Sequence, residues 1–358
     1  MKIMCVGCSL VYGGAERVLT NLVNHFSQKH EVVFVTLLHR DQIPYPINEN
    51  VTVVNGLEFG PKIQAIFKLR KLIRGEKPDV ILSFLTHVNI TTLIAGFSTG
   101  VPIVVSERND PSKEKSRIRR VLRDITYLFA DGIVFQTEDA KNYYRSVYRK
   151  RSAVIPNPIY VSAENIQYVC QKRKKEIVAV GRLSEQKNFG MLIHACEPVL
   201  RRHPDFSLVI YGEGPLRGQL EELIQELEME GRVCLYGQTS ELHTLIRDSE
   251  LFVMPSNYEG MPNALMEAMA LGLCCVSTDC PVGGPRMLID SGVNGWLIPV
   301  GDRDALSRKI LELLDDGEER KALGEEARKI IQTFSPERVY QEWELYLRKV
   351  SGNRTKSY

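Results

Sequence analysis

The sequence predicts an α/β protein built of two doubly wound, parallel-sheet domains, and three observations carry that expectation. At 358 residues the chain exceeds one ordinary hydrophobic core, so two bodies of roughly 150–200 residues are the default. Short apolar runs such as Leu251-Phe252-Val253-Met254 recur between amphipathic stretches and end in Gly- or Pro-containing turns. Strand, turn and helix in alternation read as parallel sheet covered on both faces. Finally, Pro156-Asn157-Pro158 and a polar stretch to Lys175 separate the halves, because proline restricts itself and the residue before it. The expected division is 1–160, a linker over 161–175, and 176–335, with a further helix over 336–350.

In the first half, Lys2–Gly7 is an apolar strand, followed by Cys8-Ser9-Leu10-Val11-Tyr12-Gly13-Gly14 and a helix to about Ser27. Gly13 and Gly14 free the backbone to turn tightly and expose amides at the helix start. The turn serves either a ligand or only the chain reversal. It is not G-x-G-x-x-G, and no acidic residue ends the second strand, which disfavours a dinucleotide site. Cys5-Val6-Gly7-Cys8 has C-x-x-C spacing without a second pair or nearby His, so buried thiols are expected rather than metal or redox chemistry. Glu31–Leu38 and Val51–Val54 are strands, and Lys62–Arg74 is a basic helix. Asp79–Ser83 is an apolar strand leading to His87. Ligands of open α/β sheets sit beyond the carboxyl ends of strands, where His87 falls; a histidine opening a helix without a role is the alternative. Val101–Val105 runs into Ser106-Glu107-Arg108-Asn109-Asp110. That polar cluster suggests a site wall in which Glu107 and Arg108 meet an acceptor, while capping by Asp110 is the simpler meaning.

Lys113, Lys115, Arg117, Arg119, Arg120 and Arg123 put six cations into eleven residues, opposed only by Glu114. Ile118, Val121, Leu122 and Ile125 add an apolar stripe at helical spacing. The segment 113–123 fits docking on anionic lipid headgroups, or a helix packed on the sheet with a solvated charged face. Nucleic acid fits poorly, since no aromatic platform accompanies the cations. Residues 1–175 hold 26 Lys+Arg against 15 Asp+Glu, a net +11, whereas 176–358 hold 20 against 29, a net −9. The first half is the one expected to meet an anionic surface. No apolar run is long enough to span a bilayer, and no cleavable signal pattern is present. Gly132–Gln136 and Ala153–Ile155 complete the first set of strands.

The second half opens with a strand from Glu176 into Gly181-Arg182-Leu183, then Lys187. Two cations five residues apart across a strand–helix turn can reach one anion. Phe206–Tyr211, Val233–Tyr236, Leu251–Met254, Cys274–Ser277 and Trp296–Pro299 are the remaining strands. Asp302 in Asp302-Arg303-Asp304 reads as a helix N-cap rather than a metal ligand. After the strand ending at Met254, a loop carries Glu259-Gly260-Met261-Pro262 into a helix opening near Asn263, with Glu267 a turn further on. Backbone amides at such a helix start suit phosphate.

Glu259 and Glu267, spaced Glu-x7-Glu across that loop and helix, together with Gly13-Gly14 and the Arg182–Lys187 pair, resemble the retaining GT-B glycosyltransferases of the large fourth family. The likeness covers the whole chain and is nearest the bacterial capsule, exopolysaccharide and lipid-linked oligosaccharide enzymes. It implies two Rossmann-like domains facing a central cleft, with 336–350 strapped back onto the first. It also implies Arg182, Lys187, Glu259 and His87 as catalytic residues. Arg182 and Lys187 would hold the donor diphosphate, Glu259 the donor sugar's hydroxyls, and His87 its reactive side, although the His-x-His spacing usual there is missing. Glu267 would hold the ribose, with Gly13, Gly14, Gly260, Met261, Pro262 and Asn263 around the donor. Carboxylates accept two hydroxyl bonds well, and paired cations stabilise a departing diphosphate without a metal. Arg286 stands where the family usually has Glu.

The implied reaction moves a hexose or N-acetylhexosamine, with retention, from a UDP-sugar to a polyprenyl-diphosphate-linked or other growing glycan, at the inner face of the plasma membrane. The UDP-sugar is a substrate, and neither cofactor nor metal is implied. A UDP-sugar 2-epimerase of the same fold, a transferase using a soluble acceptor, and a catalytically silent membrane scaffold are the competing readings.

Overall fold

The computed structural model describes residues 1–10, 13–39, 45–57, 62–114, 116–168, 170 and 172–354. Val11 and Tyr12 of the first loop, Lys115 of the basic segment and the last four residues of the tail lie outside them. The chain divides into two compact units, Met1–Pro158 with the helix Pro336–Arg354, and Ile159–Ser335.

The first unit holds strands β1 (Lys2–Gly7), β2 (Glu31–Thr36), β3 (Thr52–Asn55), β4 (Val80–Phe84), β5 (Ile103–Ser106), β6 (Gly132–Phe135) and β7 (Ser152–Val154). They form one sheet in the order β3-β2-β1-β4-β5-β6-β7, with parallel pairing throughout. The second unit holds β8 (Lys174–Val180), β9 (Ser207–Tyr211), β10 (Val233–Gly237), β11 (Ser249–Met254), β12 (Cys274–Thr278) and β13 (Trp296–Ile298). Its order is β10-β9-β8-β11-β12-β13, again parallel. Both sheets carry right-to-left and left-to-right winding from a single reversal point, between β1 and β4 and between β8 and β11. These are the doubly wound sheets expected from the alternation. Crevices beyond the carboxyl ends of strands at a reversal point are where such sheets place ligands.

Alternation of side chains along each strand builds a core on both faces of the second sheet. Ile177, Ala179, Leu208, Ile210, Leu251 and Val253 pack to one side. Val178, Val209, Tyr211, Phe252, Met254 and Cys275 pack to the other. Strand ends differ from the sequence expectation by a residue or two. The strand expected from Val101 starts at Ile103, after Pro102, and the one expected from Glu176 starts at Lys174. The stretch assigned to a linker contains the helix Ala163–Gln167, whose N-cap Ser162 accepts from the Asn165 amide.

The helix Pro336–Arg354 packs within the first unit. Trp343 is fully buried with its ring 5.7 Å from that of Phe84 at the end of β4, and the Tyr346 hydroxyl donates to the Arg151 carbonyl at 2.7 Å. Among the described residues no helix is long and apolar enough to cross a membrane.

Candidate active site

The carboxyl ends of the neighbouring strands β8 and β11 feed two loops that are stitched together. The Asn257 amide donates to the Gln186 carbonyl (2.8 Å), and the Gln186 side chain donates to the Tyr258 carbonyl (2.9 Å). Asn257 Nδ2 donates to the Glu185 carbonyl at 2.8 Å. These bonds bring Lys187 and Glu259, 72 residues apart in sequence, into an ion pair with Nζ 2.6 Å from Oε1. Both side chains are largely buried, at 16% and 9% exposure. Gly181 leaves room for the stem of Lys187, since a Cβ there would lie 2.9 Å from Lys187 Cε. Arg182 is exposed and has no ion-pair partner among the described residues. One cation of the expected pair is thus engaged by Glu259, and the other is open to solvent.

Beyond Glu259, Met261 and Pro262 are buried, and the helix Asn263–Ala270 opens without a side-chain cap. Pro262 at its N-cap carries no side-chain oxygen to accept from the first amides, and helix N-termini favour anions. Glu267 is 3% exposed, and its Oε2 lies 3.0 Å from Nε2 of His243 on the helix Leu242–Ile246. The loop after β12 presses on the same place: a Cβ on Gly284 would fall inside the Gly260 carbonyl oxygen. Arg286, which stands where the family usually has Glu, makes a bidentate pair with Asp279, Nε to Oδ1 at 3.0 Å and Nη2 to Oδ2 at 2.7 Å. Asp302 caps the helix Arg303–Asp315 by accepting from the Ala305 amide. Among the described residues no three His, Cys, Asp or Glu side chains are grouped to hold a metal ion.

In the first unit the reversal point joins the loop after β1 to the loop after β4. His87 is exposed on the first turn of the helix Thr86–Gly96, with Nε2 3.2 Å from Cys8 Sγ. Gly13 is the N-cap of the helix Gly14–Ser27 and has an ordinary extended backbone, so conformation alone does not require glycine there.

Glu107 and Arg108, expected on an open site wall that meets an acceptor, are both buried instead. Glu107 is 3% exposed and accepts from the Tyr127 hydroxyl and from Thr86 Oγ1 at 2.9 Å. Asn89 completes this interior cluster by donating to the Ser106 carbonyl and the Tyr127 oxygen. Arg108 is buried with its guanidinium carbon 4.2 Å from the Phe84 ring centre and 5.7 Å from that of Trp343. The polar run after β5 turns inward, with Glu107 bonded to Tyr127 and Thr86 while the Arg108 guanidinium lies over aromatic rings. Asp110, as the simpler reading required, caps the turn Pro111–Lys113.

Burial pushes the Glu107 carboxyl above its ordinary 4.5, with the Tyr127 and Thr86 donors opposing the shift. A raised folded value means that the contribution is fully present below the unfolded pKa and is lost as pH rises through the folded value. Glu107→Gln is therefore expected to flatten the fall in urea-unfolding stability as pH rises above 4.5, while leaving glycosyl transfer in place. An unchanged slope refutes this assignment.

The basic segment forms the helix Arg117–Thr126, continuing into the turn Tyr127–Phe129. Its orientation is the reverse of a helix packed by its apolar face. Ile118, Val121, Leu122, Ile125, Leu128 and Phe129 are all exposed, from 40% to 75%, while Arg123 is buried. Arg123 Nη2 pairs with Asp124 at 3.0 Å, and its guanidinium lies 4.9 Å from the Tyr144 ring centre. Arg117, Arg119 and Arg120 stay exposed beside the stripe.

The sequence reading missed His243, whose only signal is its place after β10, on the ligand edge of the sheet. It also missed the Asn257–Gln186 stitching, for which no sequence signal exists.

Comparison with known proteins covers both units. The profile described as Glycosyltransferase Family 4 matches residues 12–162, and that described as Glycosyl transferases group 1 matches 163–330. A Campylobacter jejuni GalNAc-α-(1→4)-GalNAc-α-(1→3)-diNAcBac-PP-undecaprenol α-1,4-N-acetyl-D-galactosaminyltransferase is 28% identical, covering 96% of this chain and 97% of that protein. From the same organism, the N-acetylgalactosamine-N,N'-diacetylbacillosaminyl-diphospho-undecaprenol 4-α-N-acetylgalactosaminyltransferase is 30% identical over 95% of this chain and 97% of that one. The crystal structure of Anabaena HepE in complex with UDP superimposes with a TM-score of 0.81 at 19% identity, covering 98% of this chain and 100% of that one. That structural likeness speaks to fold. With profile matches over both halves and a 30% identical relative spanning nearly its whole length, the chain belongs to glycosyltransferase family 4 and is a glycosyltransferase of the GT-B fold.

Proposed function

We propose that this glycosyltransferase moves a hexose or N-acetylhexosamine, with retention, from a UDP-sugar to a polyprenyl-diphosphate-linked glycan in cell-surface polysaccharide or glycan-precursor synthesis. The observation that carries the reading is the group at the β8–β11 reversal point: Arg182, the Lys187–Glu259 pair, and Glu267 on an uncapped helix start. Arg182 and Lys187 neutralise the charge that grows on the departing diphosphate, so no metal is needed. Glu259, held by Lys187, accepts from sugar hydroxyls, and Glu267 accepts from the ribose. Attack occurs on the face from which the nucleotide leaves, with positioning as the main source of rate. The acceptor class is supported by the names of the two Campylobacter relatives, and the nucleotide by the UDP complex of HepE.

The test is UDP release from a panel of UDP-sugars with undecaprenyl-diphosphate-linked glycans, with the product anomer read by NMR. Acceptor-dependent release with a retained anomer, undiminished by EDTA, is expected. Sugar interconversion without acceptor would favour the 2-epimerase, and equal turnover on a short soluble glycan would favour a soluble acceptor.

The same reading places the first unit on an anionic membrane through 113–123. Outward apolar residues flanked by exposed arginines form an interfacial helix rather than a packed one. Beside it, a groove of about 540 Å³ lined by Leu38, Ile90, Ile118 and Leu122 reaches His87. With each surface cation contributing about 1 kcal/mol, R117E/R119E/R120E is expected to lower binding to phosphatidylserine-containing vesicles at least about tenfold. Ile118→Asp with Ile125→Asp is expected to do the same on apolar grounds. Co-sedimentation unchanged in both variants removes the membrane assignment.

A further inference from the structure

We infer that the second unit carries a further binding cavity, for a sugar phosphate, on the edge of its sheet opposite the Lys187–Glu259 pair. The cavity, of about 560 Å³, lies at the amino ends of three neighbouring strands: Arg173 precedes β8, Glu250 is in β11 and Cys274 opens β12. The carboxyl ends of the same sheet feed the loops of Arg182 and Glu259. The cavity therefore shares no residue with the donor group.

Among the described residues five cations and three carboxylates line it. Two of the cations are struts. Arg173 donates to the carbonyls of Arg247, Ser249 and Gly272, and Arg320 pairs with Glu250 at 3.0 Å. The fold does not use up the other three. Arg247 donates from Nη1 to Asn165 at 3.0 Å and stands over Tyr168, its guanidinium carbon 3.7 Å from the ring centre. Its buried Nε has no hydrogen-bond partner. Arg328 is half-buried and Lys321 exposed, and neither side chain makes a hydrogen bond or ion pair among the described residues. A guanidinium fork takes two phosphate oxygens and an ammonium takes a third. The surplus of two positive charges matches a phosphate monoester, which carries nearly two negative charges at neutral pH, rather than a more highly charged polyphosphate. Glu318 and Glu325 are exposed and free of ion pairs among the described residues, so they can accept from the hydroxyls of a sugar. Asp248, beside Arg247, is not among the lining residues and is turned to the Tyr168 hydroxyl and the Cys170 thiol.

The experiment is calorimetric titration of glucose 6-phosphate into the full chain, with inorganic phosphate run alongside. The wild type is expected to bind one equivalent, about tenfold more tightly than inorganic phosphate, as one added hydrogen bond to a charged group implies. Lys321 and Arg328 hold nothing else, so Lys321→Gln with Arg328→Gln is expected to keep the unfolding midpoint and the acceptor-dependent turnover. The same pair of changes is expected to weaken glucose 6-phosphate at least about tenfold. Arg247→Lys keeps the charge but loses the fork and its stacking on Tyr168, and is expected to weaken binding as well. Arg182→Ala is expected to leave this binding as it was. Wild-type affinity in the Lys321, Arg328 double variant overturns the inference, and loss of affinity in Arg182→Ala alone would move the sugar phosphate to the donor site. Absence of binding by the wild type removes the cavity as a site, and equal affinity for inorganic phosphate removes the sugar from its ligand.

Discussion

Arg182→Ala is expected to cut turnover by about two to three orders of magnitude, the usual loss when one fixed donor to a developing anion is removed. That corresponds to about 2.7–4 kcal/mol of transition-state stabilisation. Arg182 is the cation of the β8 loop that no described carboxylate engages, so its charge is available to a diphosphate from the outset. Lys187 differs, because it already holds Glu259 at 2.6 Å. Lys187→Ala would remove the proposed phosphate ligand and also strand a buried carboxylate, so its loss would combine donor affinity, rate and local stability. Lys187→Met with Glu259→Gln, a pair of similar volume without charge, separates these terms: it should recover stability but not turnover. Arg182→Lys is expected to recover only part of the rate, since an ammonium lacks the planar fork that matches two phosphate oxygens. The measurement is single-turnover UDP release at saturating donor. Wild-type turnover in Arg182→Ala would dismiss leaving-group stabilisation as the source of rate.

Gly284→Ala is expected to lower activity about a hundredfold, though the side chain it adds is a single methyl. The added carbon would coincide with the carbonyl oxygen of Gly260, and a backbone group cannot swing aside as a side-chain tip can. Either the helix Gly284–Leu288 retreats or the loop bearing Glu259 shifts, and displacement of about 1 Å at a reacting centre costs on the order of a hundredfold in rate. Strain of this kind typically costs about 1–3 kcal/mol in stability, so the unit should still fold. Activity and unfolding midpoint, measured side by side, test this: a large loss of rate with a modest stability change is expected. Gly218→Ala, where an added Cβ meets nothing within 4 Å, is the control: on the helix Arg217–Glu226 it should leave the rate unchanged and raise stability by up to about 1 kcal/mol. Unaltered rate in Gly284→Ala would mean that the loop after β12 does not hold the donor loop in place.

Much of the site was legible because its chemistry lies in short motifs at strand ends. Gly181-Arg182-Leu183 and Glu259-Gly260-Met261-Pro262 follow buried apolar runs, and the parallel sheet puts the ends of neighbouring runs side by side. Glu107 misled for the same reason. It also follows a buried strand, and only the fold shows its carboxylate sealed by Tyr127 and Thr86. Two carboxylates at equivalent positions in sequence are distinguished by what lies above them, which a linear pattern does not contain.

By itself the sequence determined the strands and their alternation with helices, the doubly wound class, and the charges available at residues 182, 187, 259 and 267. Hydrophobic periodicity and turn chemistry act over a few residues, so they can be read locally. Tertiary structure alone decided which charges meet. Lys187 finds Glu259 across 72 residues and His243 finds Glu267 across 24, because strand order sets those neighbours. It also decided which way the helix Arg117–Thr126 faces. The apolar stripe suited either side, and the burial of Arg123 beside Asp124 and Tyr144 turned it outward.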